Sequence, residues 1–281
     1  MNKVGILFSR MREEEKLIIE SARKNGFKIE KVDSRKLILN GENNFQFDTI
    51  IDREISHVRS LSILQLMESV GIRTINNYDI SNTCGDKVAT TSLLNHHGIP
   101  NLEVKVAFSK ESAIKGMESI GFPVVLKPIV GSWGRMLAKI NDRDAAEAII
   151  EHRQFMPGSQ NSIFYIQEYV EKPGRDIRAT FIGGETICAI YRSSEHWITN
   201  TARGAIVSNC TVTDEIRNLC KLTAEAIGGG ILAIDIMETD RGLMINEVNH
   251  KMEFRNSIDV TGVDLPTHII DYALNVGNSI L

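Results

Sequence analysis

The chain is 281 residues long, 42% hydrophobic and 24% charged, with a formal net charge of −4. That is enough for two domains or more around a substantial core, and the charge gives no general basis for binding nucleic acid or an anionic membrane. No apolar run is long enough to cross a bilayer, and Cys84, Cys188, Cys210 and Cys220 show no paired spacing, which argues against a zinc site or disulfide framework and for a reducing cytoplasm.

Residues 3–8 read as a first strand, too short and too soon followed by charge to be a signal peptide. Glu13–Asn25 reads as a helix with Leu17, Ile18 and Ala22 on one face and Gly26 at its end. Lys28–Val32 and Thr49–Ile51 read as strands, Ser60–Val70 as a helix stopped by Gly71, and Thr74–Asn76 as another strand. This alternation predicts an open α/β domain over residues 1–84. The loop after the first strand, Ser9-Arg10-Met11-Arg12, has no glycine, so a nicotinamide-binding domain is disfavoured.

A second unit, residues 85–165, is predicted to carry helices over Lys87–His97, Lys110–Ile120 and Asp142–His152, and a strand over Pro123–Lys127. A third, residues 166–281, is richer in strands. Phe164–Val170, Asp176–Ile182 and Glu185–Arg192 read as a meander, with Gly183-Gly184 as a two-residue turn. Asp214–Ile227 reads as an amphipathic helix. A final helix starts near Pro266, with Ala273–Leu281 following it. The fold class predicted is mixed α/β and α+β.

Ile231–Glu238 and Gly242–Asn249 carry the most informative pattern, two apolar strands that hold acidic residues. Asp240-Arg241-Gly242 can close them as a three-residue loop with Gly242 left-handed. If Thr239 faces Leu243, Asp235 falls opposite Glu247, and Asn249 points to the same face. Two carboxylates so placed repel unless a cation lies between them. Hard oxygen ligands of this number suit Mg2+ held with substrate phosphates. A solvent-facing hairpin is the plainer alternative, although strands deplete Asp and Asn and keep them for a reason.

Lys127 ends a strand ahead of Pro128-Ile129-Val130-Gly131-Ser132-Trp133-Gly134-Arg135. Backbone N–H groups of such a loop cradle phosphate oxygens, and a lysine at its mouth adds a point charge. It is not a Walker A loop, and an ordinary glycine turn would look the same. Asp176 and Arg178 share one face of a strand, and Arg192, Asn200 and Arg203 follow. Cations gathered between two phosphate-type motifs suggest an anionic substrate, although arginines are also ordinary on a solvated sheet. Lys87 stands at a helix start, where a cation is unfavourable unless a bound anion or Asp86 compensates. His196 and Trp197 read as a hydrophobic tether for a loop ahead of substrate contacts. No HExxH or Gly-x-Ser-x-Gly pattern occurs.

The order Lys87, Lys127 with Gly131–Gly134, Gln167-Glu168-Tyr169-Val170, then Asp235, Glu247 and Asn249 resembles the ATP-grasp superfamily. Within it the chain resembles RimK-like carboxylate–amine ligases over nearly its whole length, through Gly131–Arg135, Gly174–Arg178, Trp197–Gly204 and Glu247–Ser257. The resemblance implies an N-terminal α/β (pre-ATP-grasp) domain followed by an ATP-grasp fold of two α+β subdomains that hold ATP between them. It implies Lys87 and Lys127 on the phosphates and residues 131–135 as a lid over them. It implies Gln167–Val170 as the hinge receiving adenine, with Asp176, Arg178 and Asn200 also on the nucleotide. Asp235, Glu247 and Asn249 would hold Mg2+, which Mn2+ can replace. Arg178, Arg192 and Asn200 would serve the chemical step. Arg192, Thr201, Ala202, Arg203, Glu253, Phe254, Arg255, Asn256 and Ser257 would face the acyl-phosphate and the amino-acid substrate.

The reaction implied has two steps. ATP phosphorylates the side-chain carboxylate of the C-terminal Glu of a small acidic carrier protein of the LysW type. The α-amine of 2-aminoadipate then attacks, giving an amide, ADP and phosphate, as in lysine biosynthesis. Metal and cations would neutralise developing charge and hold the reactants in line. No covalent nucleophile is needed, and no general base is assigned. In the family, Asn followed by a small hydroxyl residue after the Glu-Phe of the metal loop marks aminoadipate enzymes, and Gly-Phe marks glutamate enzymes. Asn256-Ser257 therefore favours aminoadipate. One methylene is worth only ~1–3 kcal/mol, so dual activity stays open. So do glutamate addition to the same carrier and glutamate addition to another protein or peptide. A non-catalytic ATP-binding regulator is disfavoured by the intact Asp235, Glu247 and Asn249 set. An acidic carrier calls for a local basic patch, for which Arg178, Arg192, Lys251 and Arg255 are candidates. A homo-oligomer, dimer or tetramer, is expected from the family. Arg192→Ala is expected to abolish ligation and leave ATP binding largely intact.

Overall fold

The computed structural model describes residues 3–42, 45–131 and 135–278. Its first sheet is parallel, in the order β2-β1-β3-β4, from β1 (Val4–Phe8), β2 (Ile29–Asp33), β3 (Thr49–Asp52) and β4 (Arg73–Ile75). The short apolar runs of β1 and β3 are buried on both faces, as strands covered by helices on both sides must be. On one face α1 (Glu13–Lys24) and α9 (Leu265–Asn278) bring Ile18, Ala22, Ile269 and Ala273 against Val4, Ile6 and Ile51. On the other, α2 (His57–Ser69) brings Ile63 and Met67 against Leu7 and Ile50.

Two helices, α3 (Tyr78–Gly85) and α4 (Lys87–His96), lead into an antiparallel sheet of order β5-β8-β6-β7. Its strands are β5 (Val104–Ala107), β6 (Val124–Lys127), β7 (Ala138–Ile140) and β8 (Phe164–Glu168). α5 (Lys110–Ile120) and α6 (Arg143–Gln154) pack on it through Ala113, Met117, Ala146 and Ile150. Ser109 and Asp142 cap these helices, each accepting from a backbone N–H three residues on.

The third sheet is antiparallel, in the order β11-β10-β9-β12-β13. It comprises β9 (Arg175–Ile182), β10 (Glu185–Ser193), β11 (Ile206–Cys210), β12 (Ile231–Thr239) and β13 (Gly242–Asn249). The period-two pattern of β12 divides it between two cores. Leu232, Ile234 and Ile236 join α4 and α7 (Asp214–Ile227), while Ile231 and Ala233 join α9 and the N-terminal sheet. Asp235 is the next residue on the Ile231–Ala233 face, where that core gives way to the central cleft. After β13, α8 (Arg255–Thr261) leads into α9, which returns to the N-terminal domain.

The turn Gly183-Gly184 closes β9 and β10 as expected. Gly183 has φ +60°, and a Cβ there would come within 2.6 Å of the Tyr272 ring on α9, so both backbone and packing require glycine. Two expectations are corrected. The run from Phe164 does not begin a meander with β9; β8 pairs with β5 and β6. β8 ends at Glu168 and β9 starts at Arg175, and the chain changes sheets across the connection that carries Pro173-Gly174. The last helix does not stop before Ala273, which sits fully buried within α9. Among the described residues no helix is long and apolar enough to cross a membrane.

Candidate active site

Thr239 lies opposite Gly242, so the hairpin tip is tighter by one residue than the three-residue loop expected. That alone would slide Asp235 opposite Asn246. A bulge restores the frame: Ile236 pairs with Ile245, Asn246 is left out, and Asp235 pairs with Glu247. Adjacent residues of a regular strand point to opposite faces. At the bulge both Asn246 and Glu247 reach basic groups. Asn246 Oδ1 accepts from Lys127 Nζ at 2.8 Å, and Glu247 Oε1 lies 3.0 Å from Lys87 Nζ.

Lys87 begins α4, but its ammonium leaves the helix axis. The Asp86 carboxylate caps the helix, accepting from the N–H groups of Val88 and Ala89. Lys87 Nζ also donates to the Gly131 carbonyl at 2.9 Å. One side chain thus ties α4, the glycine loop and β13 together. Lys127 is 6% exposed. Burial pushes its pKa down to about 8, opposed by the Glu247 carboxylate and reinforced by Lys87.

Around Asp235 two arginines meet. Arg178 forks onto it, Nε to Oδ1 at 2.7 Å and Nη2 to Oδ2 at 2.9 Å. Arg192 reaches Asp235 Oδ2 at 3.2 Å through Nη2 and donates from Nε to Asp176 Oδ1 at 2.7 Å. Asp176 also accepts from the Thr199 hydroxyl and lies 3.5 Å from Lys172 Nζ. Burial disfavours charge on Asp235, yet the guanidiniums of Arg178 and Arg192 outweigh it and hold the carboxyl below the usual carboxylate range. Burial likewise opposes charge on Arg192, and Asp235 and Asp176 hold it more firmly protonated than usual. The cations that separate Asp235 from Glu247 in charge are the protein's own arginines and Lys87.

Gln167, Glu168, Tyr169 and Val170 line a pocket with Lys127, Lys172, Trp197, Asn200, Met237 and Asn246. The Glu168 carboxylate accepts from the Glu103 N–H at 2.7 Å and from Arg241 at the hairpin tip, so it holds β8 to its neighbours. Lys139 Nζ sits 3.7 Å over the Tyr169 ring, and Trp197 meets that ring edge-on at 6.3 Å. Trp197 is therefore part of this pocket as well as of its loop.

A central cleft of about 350 Å³ is lined by Lys87, Gly131, Arg178, Arg192, Asp235, Glu247 and Asn249, together with Arg12, Glu54 and His57 of the N-terminal domain. Three of its lining side chains hold buried nitrogens with no hydrogen-bond partner among the described residues: His57 Nδ1, Asn249 Nδ2 and His250 Nε2. Buried polar atoms left unpaired cost about 1–3 kcal/mol each, so their concentration at one cleft marks it for a ligand. A second cleft of about 360 Å³ shares Arg12, Arg178, Arg192, Thr201 and Glu253 with the first and extends to Arg10, Arg255, Asn256 and Ser257.

Residues 4–83 match the LysX preATP-grasp domain, and residues 84–273 match the RimK-like ATP-grasp domain. The chain belongs to the RimK-like ATP-grasp family. It is 38% identical over 266 residues to the alpha-aminoadipate–LysW ligase LysX of Saccharolobus solfataricus, covering 92% of this chain and 96% of that one. It is 34% identical to the glutamate–LysW ligase ArgX of Sulfurisphaera tokodaii, covering 96% and 97%. The crystal structure of a RimK domain ATP-grasp protein from Sphaerobacter thermophilus has a TM-score of 0.83 to it at 27% identity, covering 97% of this chain and 99% of that one.

Most residues singled out from the RimK-like resemblance line these connected clefts, but not all. Ser132, Trp133 and Gly134 lie outside the described residues. Arg135 and Arg203 are exposed and line none of the three clefts, and Ala202 lies in the short turn Thr201–Arg203. Phe254 is corrected: its ring is 1% exposed, packed with Met252 and Leu265, and supports the loop from beneath instead of facing a substrate. Lys251, a candidate for the basic patch, lines the central cleft. It lies 2.9 Å from Asp52 and donates to the Glu54 carbonyl, so its charge is neutralised within the fold. Sequence reasoning missed Asn246, Lys172, His57 and Arg12. Asn246 was hidden by the bulge, and the other three by distance along the chain.

Proposed function

We propose that this chain is an ATP-dependent, ADP-forming ligase. It joins the α-amine of 2-aminoadipate to the side-chain carboxylate of the C-terminal Glu of a LysW-type carrier protein. The observation that carries this reading is the convergence of Lys87, Arg178 and Arg192 with Asp235, Glu247 and Asn249 at one cleft, with Lys127 in the adjoining pocket held by Asn246. Relatives named as LysX, at 36–38% identity, and as ArgX, at 33–34%, support the choice of carrier.

In this reading adenine enters the pocket at Gln167–Val170, and Lys127 and Lys87 offer their ammonium groups to the phosphates. Glu247 and Asn249 supply hard oxygen donors, and the orphaned amide nitrogen of Asn249 marks a side chain not yet satisfied by the fold. Both oxygens of Asp235 are engaged by guanidinium groups, so Asp235 joins a metal set only with partial release of Arg178 or Arg192. These donors fit Mg2+, which when bound neutralises phosphate charge. Arg178 and Arg192, oriented by Asp235 and Asp176, meet the charge of the acyl-phosphate.

The test is ADP formation from ATP and Mg2+ with each reactant omitted in turn. Dependence on both the carrier and an amino acid is expected. ADP formed at the same rate without carrier would remove the ligase reading. Glutamate as the amino acid is the second reading. It is favoured by the ArgX relatives, whereas Asn256-Ser257 on the wall of the second cleft favours 2-aminoadipate.

A further inference from the structure

The helix α1 opens with Glu13-Glu14-Glu15, and the fold treats these neighbours differently. Glu13 faces solvent and lies 3.5 Å from Lys16. Glu15 is fully buried and fully satisfied. It accepts from the Arg12 backbone N–H at 2.7 Å, from the Arg12 guanidinium at 2.8 and 3.1 Å, and from Arg53 Nε at 2.9 Å. Glu14 is almost as sheltered, at 5% exposure. Among the described residues it has neither a hydrogen bond nor an ion pair.

A sheltered carboxylate without a partner is costly unless something meets its charge. Glu14 stands in the first turn of α1, close to Arg12 in the chain, where the helix N-terminus favours an acidic side chain. Among the described residues no donor lies in hydrogen-bonding distance of its oxygens. Glu14 lines the second cleft together with five arginines and two other carboxylates, Glu13 and Glu253, which lie 3.5 Å from Lys16 and 3.9 Å from Arg12. Two of the arginines, Arg10 and Arg255, have no carboxylate in ion-pair distance among the described residues. Free guanidinium groups take carboxylates, and a free carboxylate takes an ammonium. The ligand that satisfies both is a zwitterion with at least one carboxylate and one primary ammonium. The arginines alone would suit any dianion. Of the three carboxylates lining the cleft, Glu14 is the one with no ion pair among the described residues, and so the one placed to disfavour a dianion lacking an amine.

We propose that Glu14 receives the α-ammonium of the acceptor amino acid and positions its nitrogen in the cleft that Arg178 and Arg192 share with the nucleotide site. This rests on the ligase reading above. The assignment is carried by the juxtaposition of one unpartnered, sheltered carboxylate with unpaired arginines in a cleft of about 360 Å³.

The test compares wild type, Glu14→Gln and Glu14→Asp. Calorimetry measures binding of 2-aminoadipate and of adipate, the same skeleton without the amine. Hydroxylamine trapping with carrier, ATP and Mg2+, but no amino acid, measures acyl-phosphate formation separately. Glu14→Gln is expected to weaken 2-aminoadipate binding and raise its KM by ~tenfold or more, the scale of one charge-assisted hydrogen bond. Hydroxamate yield and the KM for ATP should stay close to wild type. Adipate should bind better to Glu14→Gln than to wild type, because the repulsion is gone, and Glu14→Asp should recover part of the lost affinity. Unchanged 2-aminoadipate binding in Glu14→Gln overturns the proposal. A parallel loss of hydroxamate does so too, because Glu14 then serves the fold or the first step. A wild-type enzyme that forms no hydroxamate would defeat the ligase reading, while the calorimetry still decides whether Glu14 binds the amine.

Discussion

Asp235 faces Glu247 across β12 and β13 because Asn246 is left out of the ladder. The bulge keeps the two carboxylates opposed and hands Asn246 to Lys127, whose ammonium it accepts at 2.8 Å. Replacing Asn246 by Leu removes the acceptor of a lysine that is 6% exposed. The expected loss is about 1–3 kcal/mol of stability, with a raised KM for ATP. Urea unfolding and ATP titration check it, and stability and KM both at wild-type values would contradict it.

Arg192 is the case where structure changes an expectation. From sequence, Arg192→Ala should stop ligation and spare ATP binding. Arg192 is 2% exposed and bonds both Asp176 and Asp235. Its removal leaves Asp235 with Arg178 alone and Asp176 with Thr199 and Lys172, and breaking a buried pair of this kind costs about 3–5 kcal/mol. Arg192→Ala is therefore expected to lower the melting temperature as well as turnover. Arg178→Lys keeps a cation beside Asp235 but loses the fork; it should stay folded and lose most of its turnover. Thermal melts alongside ADP assays separate the two, and a fully stable Arg192→Ala enzyme would contradict this account.

The lowered pKa of Lys127, about 8, gives a pH dependence. Its charge is present below that value and lost above it. In the absence of metal, ATP affinity should fall as pH rises through about 8, and Lys127→Gln should bind weakly at every pH. The effect on folding has the opposite sign. Between about 8 and the ordinary lysine value of 10.5 the unfolded chain holds the proton and the folded chain does not, so this group favours the folded state more as pH rises. Equilibrium ATP binding across that range is the check, and a flat wild-type profile would contradict it.

Glu15 supports the start of α1 through Arg12 and Arg53. Burial raises its pKa, but the two arginines outweigh burial and lower it. Its stabilising contribution is thus present above the ordinary value of 4.5 and fades as pH falls through the lower folded value. Glu15→Gln leaves Arg53 buried with a weaker partner and should cost about 3–5 kcal/mol. It should also reduce the acid sensitivity of the melting temperature; a melting curve identical to wild type across acid pH would sink this.

The legible parts of this chain were those written in local pattern. The helix over Lys110–Ile120 emerges residue for residue as expected, because Ser109 caps it and Gly121 ends it. The Asp235–Glu247 pair was also reached, but through a wrong turn length and without the bulge that compensates for it. Alternation alone has no term for an extra residue. Strand β8 was placed in the wrong sheet, since a buried strand carries no mark of its partner. Lys127 and Lys87 are found from motif order, whereas nothing in the local sequence singles out Glu14. Only the fold shows that Glu15 is satisfied and Glu14 is not.

The central claim is that the connected clefts around Asp235 run a carrier-dependent ligation that selects 2-aminoadipate. The most direct measurement incubates the enzyme, ATP, Mg2+ and a LysW-type carrier with equal concentrations of 2-aminoadipate and glutamate, and reads the mass of the carrier. The account predicts a carrier extended mainly by 2-aminoadipate, with one ADP formed for each molecule extended. A carrier extended mainly by glutamate, or left unmodified while ATP is consumed, would contradict it.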